Sequence, residues 1–187
     1  MQDKHASYES LVRQHAGDLY RFAYRLCGCR ERAQDLVQEA FTEAWRSLPS
    51  LQDATRARAW LLQILRHRHW HGLRRAARRP SEQPLEDSIS SSPMAAFDGA
   101  LERSLDRDLI QRCLNRIEPI FREPFLLAFL QGYHCHEIAT LLNVPQGTVL
   151  SRIYRARQKL RTLLAQELSV AETRCEKVRP LRGRAVL

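Results

Sequence analysis

The stretch HEIATLLNVPQGTVLSRIYRARQKLR, residues 136–161, has the pattern of two short helices joined by a tight turn. Apolar residues at helical spacing mark its first part, and the turn formers Asn143, Pro145 and Gly147 follow. Thr148 can N-cap a second helix, whose remaining surface is rich in Arg and Lys and carries no acid. Such a helix–turn–helix fits the major groove of DNA, where arginines meet phosphates and base edges. The alternative is an αα-hairpin with a solvated basic face.

The chain as a whole is basic. It carries 30 Lys and Arg against 21 Asp and Glu, a net charge of +9 and a pI near 9.9. This balance favours a polyanionic partner, nucleic acid before membrane. No apolar run approaches the roughly 18 residues of a membrane span, and the polar start MQDKHASYES lacks a signal-peptide pattern. We therefore expect a cytoplasmic protein with no direct membrane insertion.

The cysteines and histidines do not form a recognisable metal or catalytic motif. Five cysteines at irregular spacing argue against a disulfide scaffold. Cys27 and Cys29 could in principle bind metal or sense redox, but a zinc site needs a second ligand pair, so buried or helix-end thiols are favoured. His67 and His71 lie four apart with no further ligand nearby. No Gly-rich phosphate loop, HExxH or serine elbow is present. We expect no cofactor and no enzyme activity.

The pattern from Tyr8 to about residue 79 is helical throughout. A first helix, or a helix pair broken near Gly17, is followed by a second helix over about 33–48. One side of this second helix is apolar, whereas Asp35, Glu39 and Glu43 form an acidic stripe on the other. Like charges at this spacing repel mildly. The stripe is either an ordinary solvated face or a docking surface for a basic partner.

A third helix is predicted to begin near Arg58 and to end in RHRHWHGLRRAARR, residues 66–79. This segment contains six arginines, three histidines, one tryptophan and no acid. Cations interleaved with an aromatic ring suit single-stranded or opened nucleic acid, because the cations bind phosphates and the ring stacks on a base.

The composition changes abruptly after this helix. Residues 80–98 are rich in Pro, Ser and acids and contain no Lys or Arg, which is typical of a flexible linker. We predict an all-α fold of two small helical domains, residues 1–79 and 101–166. An acidic linker, residues 80–100, joins them, the second domain ends in the helix–turn–helix, and residues 167–187 form a basic, disordered tail.

Together these features resemble a bacterial sigma factor of the small extracytoplasmic-function (ECF) group. Three strings in family order carry the resemblance: DLVQEAFTEAW (35–45), AWLLQILRHRHWHGLRR (59–75) and GTVLSRIYRARQKLR (147–161). The resemblance implies that the first string binds the β′ clamp helices of RNA polymerase. It implies that the second melts the minus-ten promoter element and that the third reads the minus-thirty-five element.

The resemblance also assigns individual residues. Those implied for polymerase binding are Asp35, Gln38, Glu39 and Glu43. Those implied for the minus-ten element are Arg66, His67, His71, Arg74 and Arg75, and those for the minus-thirty-five element are Thr148, Ser151, Arg152, Tyr154 and Arg155. The loop 50–57 corresponds to one that captures a flipped base in relatives. Among the departures from the family pattern, His67 stands where asparagine is usual, and Leu150 stands where a basic residue is usual. The loop lacks the usual aromatic residue, and Ile117-Glu118-Pro119 replaces a common Leu-Pro pair.

The function implied is a sigma factor that binds core RNA polymerase, through the β′ clamp helices and the β flap, and directs initiation at its promoter DNA. An anti-sigma factor, often membrane-anchored in this family, is the implied inhibitor. The alternative is a stand-alone helix–turn–helix regulator whose first domain senses a ligand or dimerises.

Overall fold

A computed structural model describes residues 2–78 and 98–177, with side chains over 5–78 and 107–169. These residues form helices and short 3-10 turns, and no strand occurs among them, which confirms the all-α prediction. None of the described helices combines the length and the hydropathy needed to cross a bilayer. The helices are α1 (Gln2–Cys27), α2 (Arg30–Ser47), α3 (Ala57–Ala77), α4 (Asp98–Asn115), α5 (Pro119–Phe129), α6 (Cys135–Leu142) and α7 (Gln146–Lys177).

Helices α1 to α3 form the first lobe and enclose a core of leucines and Phe22. Of the two alternatives for this stretch, the single helix is confirmed, because α1 is continuous across Gly17. A glycine inside a helix costs about 1 kcal/mol relative to alanine. The buried Leu11 and Leu19 on either side of Gly17 offset this cost by keeping one helical face in the core.

The connection between α1 and α2 is shorter than the sequence predicts. Gly28 has φ +80°, a left-handed conformation that suits glycine and reverses the chain. Cys29 is extended, and its Sγ accepts a hydrogen bond from the backbone N–H of Arg32 at 3.5 Å. Because this sulfur serves as the N-cap, α2 begins at Arg30 instead of near residue 33.

Helices α4 to α7 form the second lobe, with Cys113, Ile117, Leu127, Ile138 and Val149 in its core. Helix α6 starts with a capping box, in which the backbone N–H of His134 donates to Glu137 at 2.7 Å. It ends at Asn143 in a left-handed conformation (φ 52°, ψ 51°), and α7 follows after Pro145. The predicted helix–turn–helix is therefore confirmed as α6 and α7.

The helix bounds in this lobe differ from the predicted boundaries in three places. Helix α7 begins at Gln146, so Thr148 lies inside its first turn, and the N–H of Thr148 donates to the Pro145 carbonyl at 2.9 Å. Helix α4 begins at Asp98, inside the predicted linker. Helix α7 continues to Lys177, where a disordered tail was predicted. Glu167 supports this extension through ion pairs to Arg112 and Arg116. Residues 79–97 and 178–187, the rest of the linker and tail, lie outside the described residues.

The two lobes pack against each other, which the sequence does not predict. Arg25 of α1 donates to the side chain of Gln111 at 3.0 Å. Arg58 of α3 donates to the side-chain oxygen of Gln131 at 2.7 Å, and its guanidinium lies 5.7 Å from the ring centroid of Tyr133. The described structure is therefore a closed arrangement held by polar contacts between the lobes.

Arg122 of α5 makes the most buried of these contacts. Its Nη1 donates to the Leu26 carbonyl of the first lobe at 2.7 Å. Its other nitrogens donate to the carbonyls of Asn115 and Ile117 in its own lobe, at 2.8–3.2 Å. Only 6% of the residue is exposed, and burial lowers the pKa of the guanidinium. Arg122 thus uses its charge to satisfy the carbonyls at the ends of helices in both lobes.

His69 of α3 is also buried, and its Nε2 makes no hydrogen bond among the described residues. Burial, together with the nearby cations Arg122 and Arg32, lowers the pKa of His69 to about 4. The unfolded chain takes up a proton at this histidine near pH 6.5, whereas the folded chain does so only near pH 4. Stability from this group is therefore complete above pH 6.5 and is lost as the pH falls toward 4.

We expect the free energy of unfolding to fall by roughly 3 kcal/mol from this group between pH 7 and pH 4. Urea unfolding at a series of pH values measures it. His69→Phe should flatten the pH dependence, since it removes the titrating group. His71→Phe, at an exposed position of the same helix, should keep the wild-type slope. Equal slopes for the wild type and His69→Phe would contradict the assignment.

Candidate functional site

The acidic stripe of α2 lies on the exposed side of the first lobe. Asp35, Gln38 and Glu39 line one shallow groove there. Thr42, Arg46 and Arg68 form the rest of its lining. The apolar residues on the opposite side of α2, among them Leu36 and Phe41, are buried and fix this orientation. We call the six lining residues the acidic groove; its carboxylates are available to a cationic partner.

Glu43, the fourth residue predicted for this surface, has a different environment. It is half-buried and accepts a hydrogen bond from Arg68 of α3. Arg46 lies 3.9 Å from the same carboxylate oxygen. Glu43 therefore ties α2 to α3 and balances the charges of Arg68 and Arg46, the two arginines of the acidic groove, whereas Asp35 and Glu39 are exposed.

The basic segment of α3 lies partly between the lobes. Its residues Arg66, His67, Trp70 and Arg74 line a groove whose other side is formed by the second lobe. The second-lobe residues in this interlobe groove are Ile120, Glu123, Leu142 and Arg152. His71 and Arg75 are exposed. The structure therefore brings together three of the five residues predicted for the minus-ten element, and adds Arg152 from the predicted minus-thirty-five set.

Glu123 is the acid in this groove, and sequence reasoning missed it. Its Oε1 accepts a hydrogen bond from Nε of Arg66 at 2.7 Å, and its Oε2 accepts one from Nε1 of Trp70 at 2.9 Å. The Nη1 of Arg66 also donates to the Leu141 carbonyl at 2.8 Å. The available signal was the pair Arg122–Glu123 inside an otherwise apolar helix, since buried charges in such a run need partners.

The exposed face of α7 carries the other predicted DNA-binding residues. Ser151, Tyr154 and Arg155 are exposed, and Leu150 and Tyr154 leave 53% and 63% of their surface open. Thr148 is half-buried, and its carbonyl accepts a hydrogen bond from the Ser151 hydroxyl at 2.9 Å. The Arg155 guanidinium lies 5.8 Å from the ring centroid of Phe121. This face combines hydroxyls, a cation and an apolar surface, the groups that contact base edges and thymine methyls.

The loop before α3 is ordered by short-range contacts. Two 3-10 turns, Leu48–Ser50 and Ala54–Arg56, span most of it. The Asp53 carboxylate accepts hydrogen bonds from the backbone N–H and the hydroxyl of Thr55, at 2.9 Å and 2.6 Å. These hydrogen bonds lower the pKa of Asp53. The loop is thus an exposed, preformed turn adjacent to the start of α3.

The cysteines have structural environments. Cys27 donates to the Cys29 carbonyl, and burial raises the pKa of the Cys27 thiol, which disfavours the reactive thiolate. No disulfide links the four cysteines between residues 27 and 135. In the part of the chain that the structure describes, no three His, Cys, Asp or Glu side chains come together in a way that could hold a metal ion.

Both lobes match known protein families. Residues 11–79 match the family described as Sigma-70 region 2, and residues 107–160 match Sigma-70, region 4. The chain is 37% identical over 164 residues to the ECF RNA polymerase sigma factor SigE of Mycolicibacterium smegmatis. The matched region is 87% of this chain but only 63% of the length of SigE. It is 34% identical over 166 residues to SigL of Mycobacterium tuberculosis, covering 88% of this chain and 92% of SigL.

Solved structures show the same fold. The sigma factor RpoE of Bartonella quintana, crystallised with the anti-sigma factor NepR, superimposes with a TM-score of 0.71 at 26% identity. That match covers 84% of this chain and 96% of RpoE. CnrH, solved with the cytosolic domain of CnrY, gives a TM-score of 0.59 at 27% identity and covers 85% and 88% of the two chains. On this evidence the chain belongs to the ECF sigma factor family.

Proposed function

We propose that this protein is a promoter-specificity subunit that binds core RNA polymerase and directs transcription initiation. The observation that carries the proposal is that acidic and basic surfaces lie on different helices of a chain that belongs to the family. Exposed carboxylates of Asp35 and Glu39 form the acidic groove on α2, while α3 and α7 present basic surfaces. A protein that must grip a polymerase and promoter DNA at once needs surfaces of both signs.

The acidic groove is the proposed docking surface for the β′ clamp helices, with Asp35, Gln38 and Glu39 in contact. Arginine-rich helices prefer an anionic surface, and the mild repulsion between Asp35 and Glu39 is relieved when cations dock. Glu43 has a supporting role in this proposal, because its carboxylate already bonds Arg68. The second lobe is proposed to contact the β flap.

The basic segment of α3 is proposed to melt and hold the minus-ten element. Arg66, His67, His71, Arg74 and Arg75 supply cations and hydrogen-bond donors, and Trp70 supplies a stacking ring. The loop 50–57 stands beside the start of this helix, which suits it to hold a base turned out of the stack. His67 is exposed, and its ring nitrogens can hydrogen-bond a base.

Helix α7 is proposed to read the minus-thirty-five element through Ser151, Tyr154 and Arg155, with Thr148 and Arg152 as phosphate or positioning contacts. Leu150 is exposed beside them and suits an apolar contact with a thymine methyl group.

An anti-sigma factor is the proposed regulator. The support is the likeness to RpoE of Bartonella quintana, whose structure was solved with the anti-sigma factor NepR. The exposed Phe129, Leu150 and Tyr154 supply apolar surface that such a protein can cover. Membrane anchoring of that partner is part of the proposal, and the sigma factor itself acts with polymerase in the cytoplasm.

Two assays test the proposal. The full chain should be retained by immobilised core RNA polymerase, and it should support run-off transcription from a promoter whose minus-ten element is already opened as a heteroduplex. A stand-alone helix–turn–helix regulator would bind duplex DNA without polymerase and fail both assays. Failure of retention and of run-off synthesis together would overturn the proposed function.

Arg155→Ala is expected to weaken binding of the holoenzyme to its minus-thirty-five element by about 1–3 kcal/mol if the guanidinium reads a base. The loss should then be confined to one base pair of the element in a substitution series measured by DNA-binding titration. Arg157→Ala, an exposed arginine of the same helix, should lower affinity evenly across sequences. An even loss for Arg155→Ala as well would assign it to a phosphate contact.

A further inference from the structure

The interlobe groove contains one carboxylate bonded to two residues of the basic segment of α3. Only 5% of the Glu123 side chain is exposed, and 17% of the Arg66 side chain. Both carboxylate oxygens of Glu123 are used, one by Arg66 and one by the indole N–H of Trp70. Charge-assisted hydrogen bonds with this little solvent access are among the stronger contacts between two surfaces.

These bonds occupy groups that nucleic acid would use. The Arg66 guanidinium donates from Nε to Glu123 and from Nη1 to the Leu141 carbonyl. The Trp70 edge is turned to the same carboxylate, and His67 and Arg74 line the same groove. A phosphate or base that approached α3 here would have to displace the second lobe first.

The closed arrangement also conflicts with the spacing of the two promoter elements. Elements centred near minus ten and minus thirty-five are separated by about 85 Å of duplex at 3.4 Å per base pair. In this structure, however, Arg66 and Arg74 of α3 and Arg152 of α7 line a single groove. One molecule in this arrangement cannot engage both elements, so the lobes must separate before promoter recognition.

We propose that Glu123 is an intramolecular latch that holds the second lobe against α3 and keeps the free protein from binding nucleic acid. In the closed arrangement, the surface of α5 that carries Glu123 binds the basic segment of α3 in the same chain. The Glu123 carboxylate binds Arg66 as a DNA phosphate would. Separation of the lobes breaks both hydrogen bonds to Glu123 and frees Arg66 and Trp70 together. The DNA role of α3 rests on the proposed function; closure by Glu123 rests on the contacts alone.

Glu123→Gln tests the latch with little change in shape. A carboxylate accepts from both donors, whereas a glutamine amide has one acceptor oxygen and turns an NH₂ group toward the other donor. Either Arg66 or Trp70 must then lose its partner. Glu118→Gln is the matched control, since Glu118 belongs to the same lobe, loses the same charge, and pairs with Lys159 instead of α3.

The measurements use the purified full chain without polymerase. Small-angle X-ray scattering gives the radius of gyration, and fluorescence anisotropy gives the affinity for a short, labelled single-stranded DNA of mixed sequence. We expect Glu123→Gln to increase the radius of gyration and to raise the DNA affinity about tenfold. Glu118→Gln should leave the radius of gyration unchanged and alter the affinity less than about twofold.

A second pair of variants guards against a folding defect in Glu123→Gln. Trp70→Phe removes the N–H donor to Glu123 while keeping an aromatic ring, and it should also increase the radius of gyration. The double variant Arg66→Glu with Glu123→Arg should have a smaller radius of gyration than Arg66→Glu alone, because it replaces two facing carboxylates with an ion pair across the groove.

Two outcomes overturn the latch. One is a radius of gyration that stays at the wild-type value in both Glu123→Gln and Trp70→Phe. The other is expansion of Glu123→Gln with no gain in DNA affinity, which would show that closure does not mask α3. Both readouts are taken without polymerase, so loss of core binding in a pull-down would count against the proposed function and leave the closure result intact.

Discussion

The double replacement Asp35→Lys with Glu39→Lys is expected to lower the affinity for core RNA polymerase by a factor on the order of 100 or more. Both side chains are exposed in the acidic groove. Reversal of their charges turns two attractions for the arginines of a basic partner into repulsions, each worth several kcal/mol once water is excluded. Retention on immobilised core polymerase, with a titration of holoenzyme assembly, measures the loss.

The control must change the net charge equally without touching the acidic groove. Glu9→Lys with Asp108→Lys meets this requirement, because both residues are exposed and neither lines the groove. The control should bind core polymerase as the wild type does, and circular dichroism of both double variants should match the wild type. Normal holoenzyme assembly by the Asp35/Glu39 variant would refute the docking surface.

Arg122→Met is expected to reduce the free energy of unfolding by about 3 kcal/mol. Methionine has a similar length and can fill the space, but it donates no hydrogen bond. The carbonyls of Leu26, Asn115 and Ile117 would then lose the donors that Arg122 supplies from its buried position. Urea denaturation followed by circular dichroism measures the difference.

Arg116→Met is the comparison for this variant. About half of the Arg116 side chain is exposed, and its contact is an ion pair with Glu167 at 3.4 Å. Exposed pairs of this kind contribute about 0–1 kcal/mol, so the variant should stay within that range. A loss under 1 kcal/mol for Arg122→Met as well would mean that water replaces the missing donors.

The helices were predictable because their signals are local. The turn at Asn143 and the apolar spacing on each side of it identify α6 and the start of α7 within about two residues. The errors lie at helix ends. Cys29 is an uncommon N-cap, so the start of α2 was predicted too late. The start of α7 depends on the hydrogen bond from the Thr148 N–H to the Pro145 carbonyl, which the sequence of residues 145–148 does not reveal.

The candidate site was predictable in part for the same reason. Asp35 and Glu39 share a face of one helix, so their spacing alone places them together. Glu43 has the same spacing, yet it bonds Arg68 of another helix, 25 residues away in the chain. Arg66 and Trp70 belong to a recognisable basic segment, whereas their bonds to Glu123 join residues 57 and 53 positions apart.

Composition, charge and periodicity were sufficient for the helical class and the two lobes, because each depends on neighbours within a few turns of helix, and the resemblance of three strings to one family supplied the rest. The closed arrangement and the roles of Arg122 and Glu123 depend on which surfaces meet. A buried charge is stable only where distant groups complete its hydrogen bonds. That condition can be read only from the packed lobes, since the chain carries many arginines and acids that could have paired in other ways.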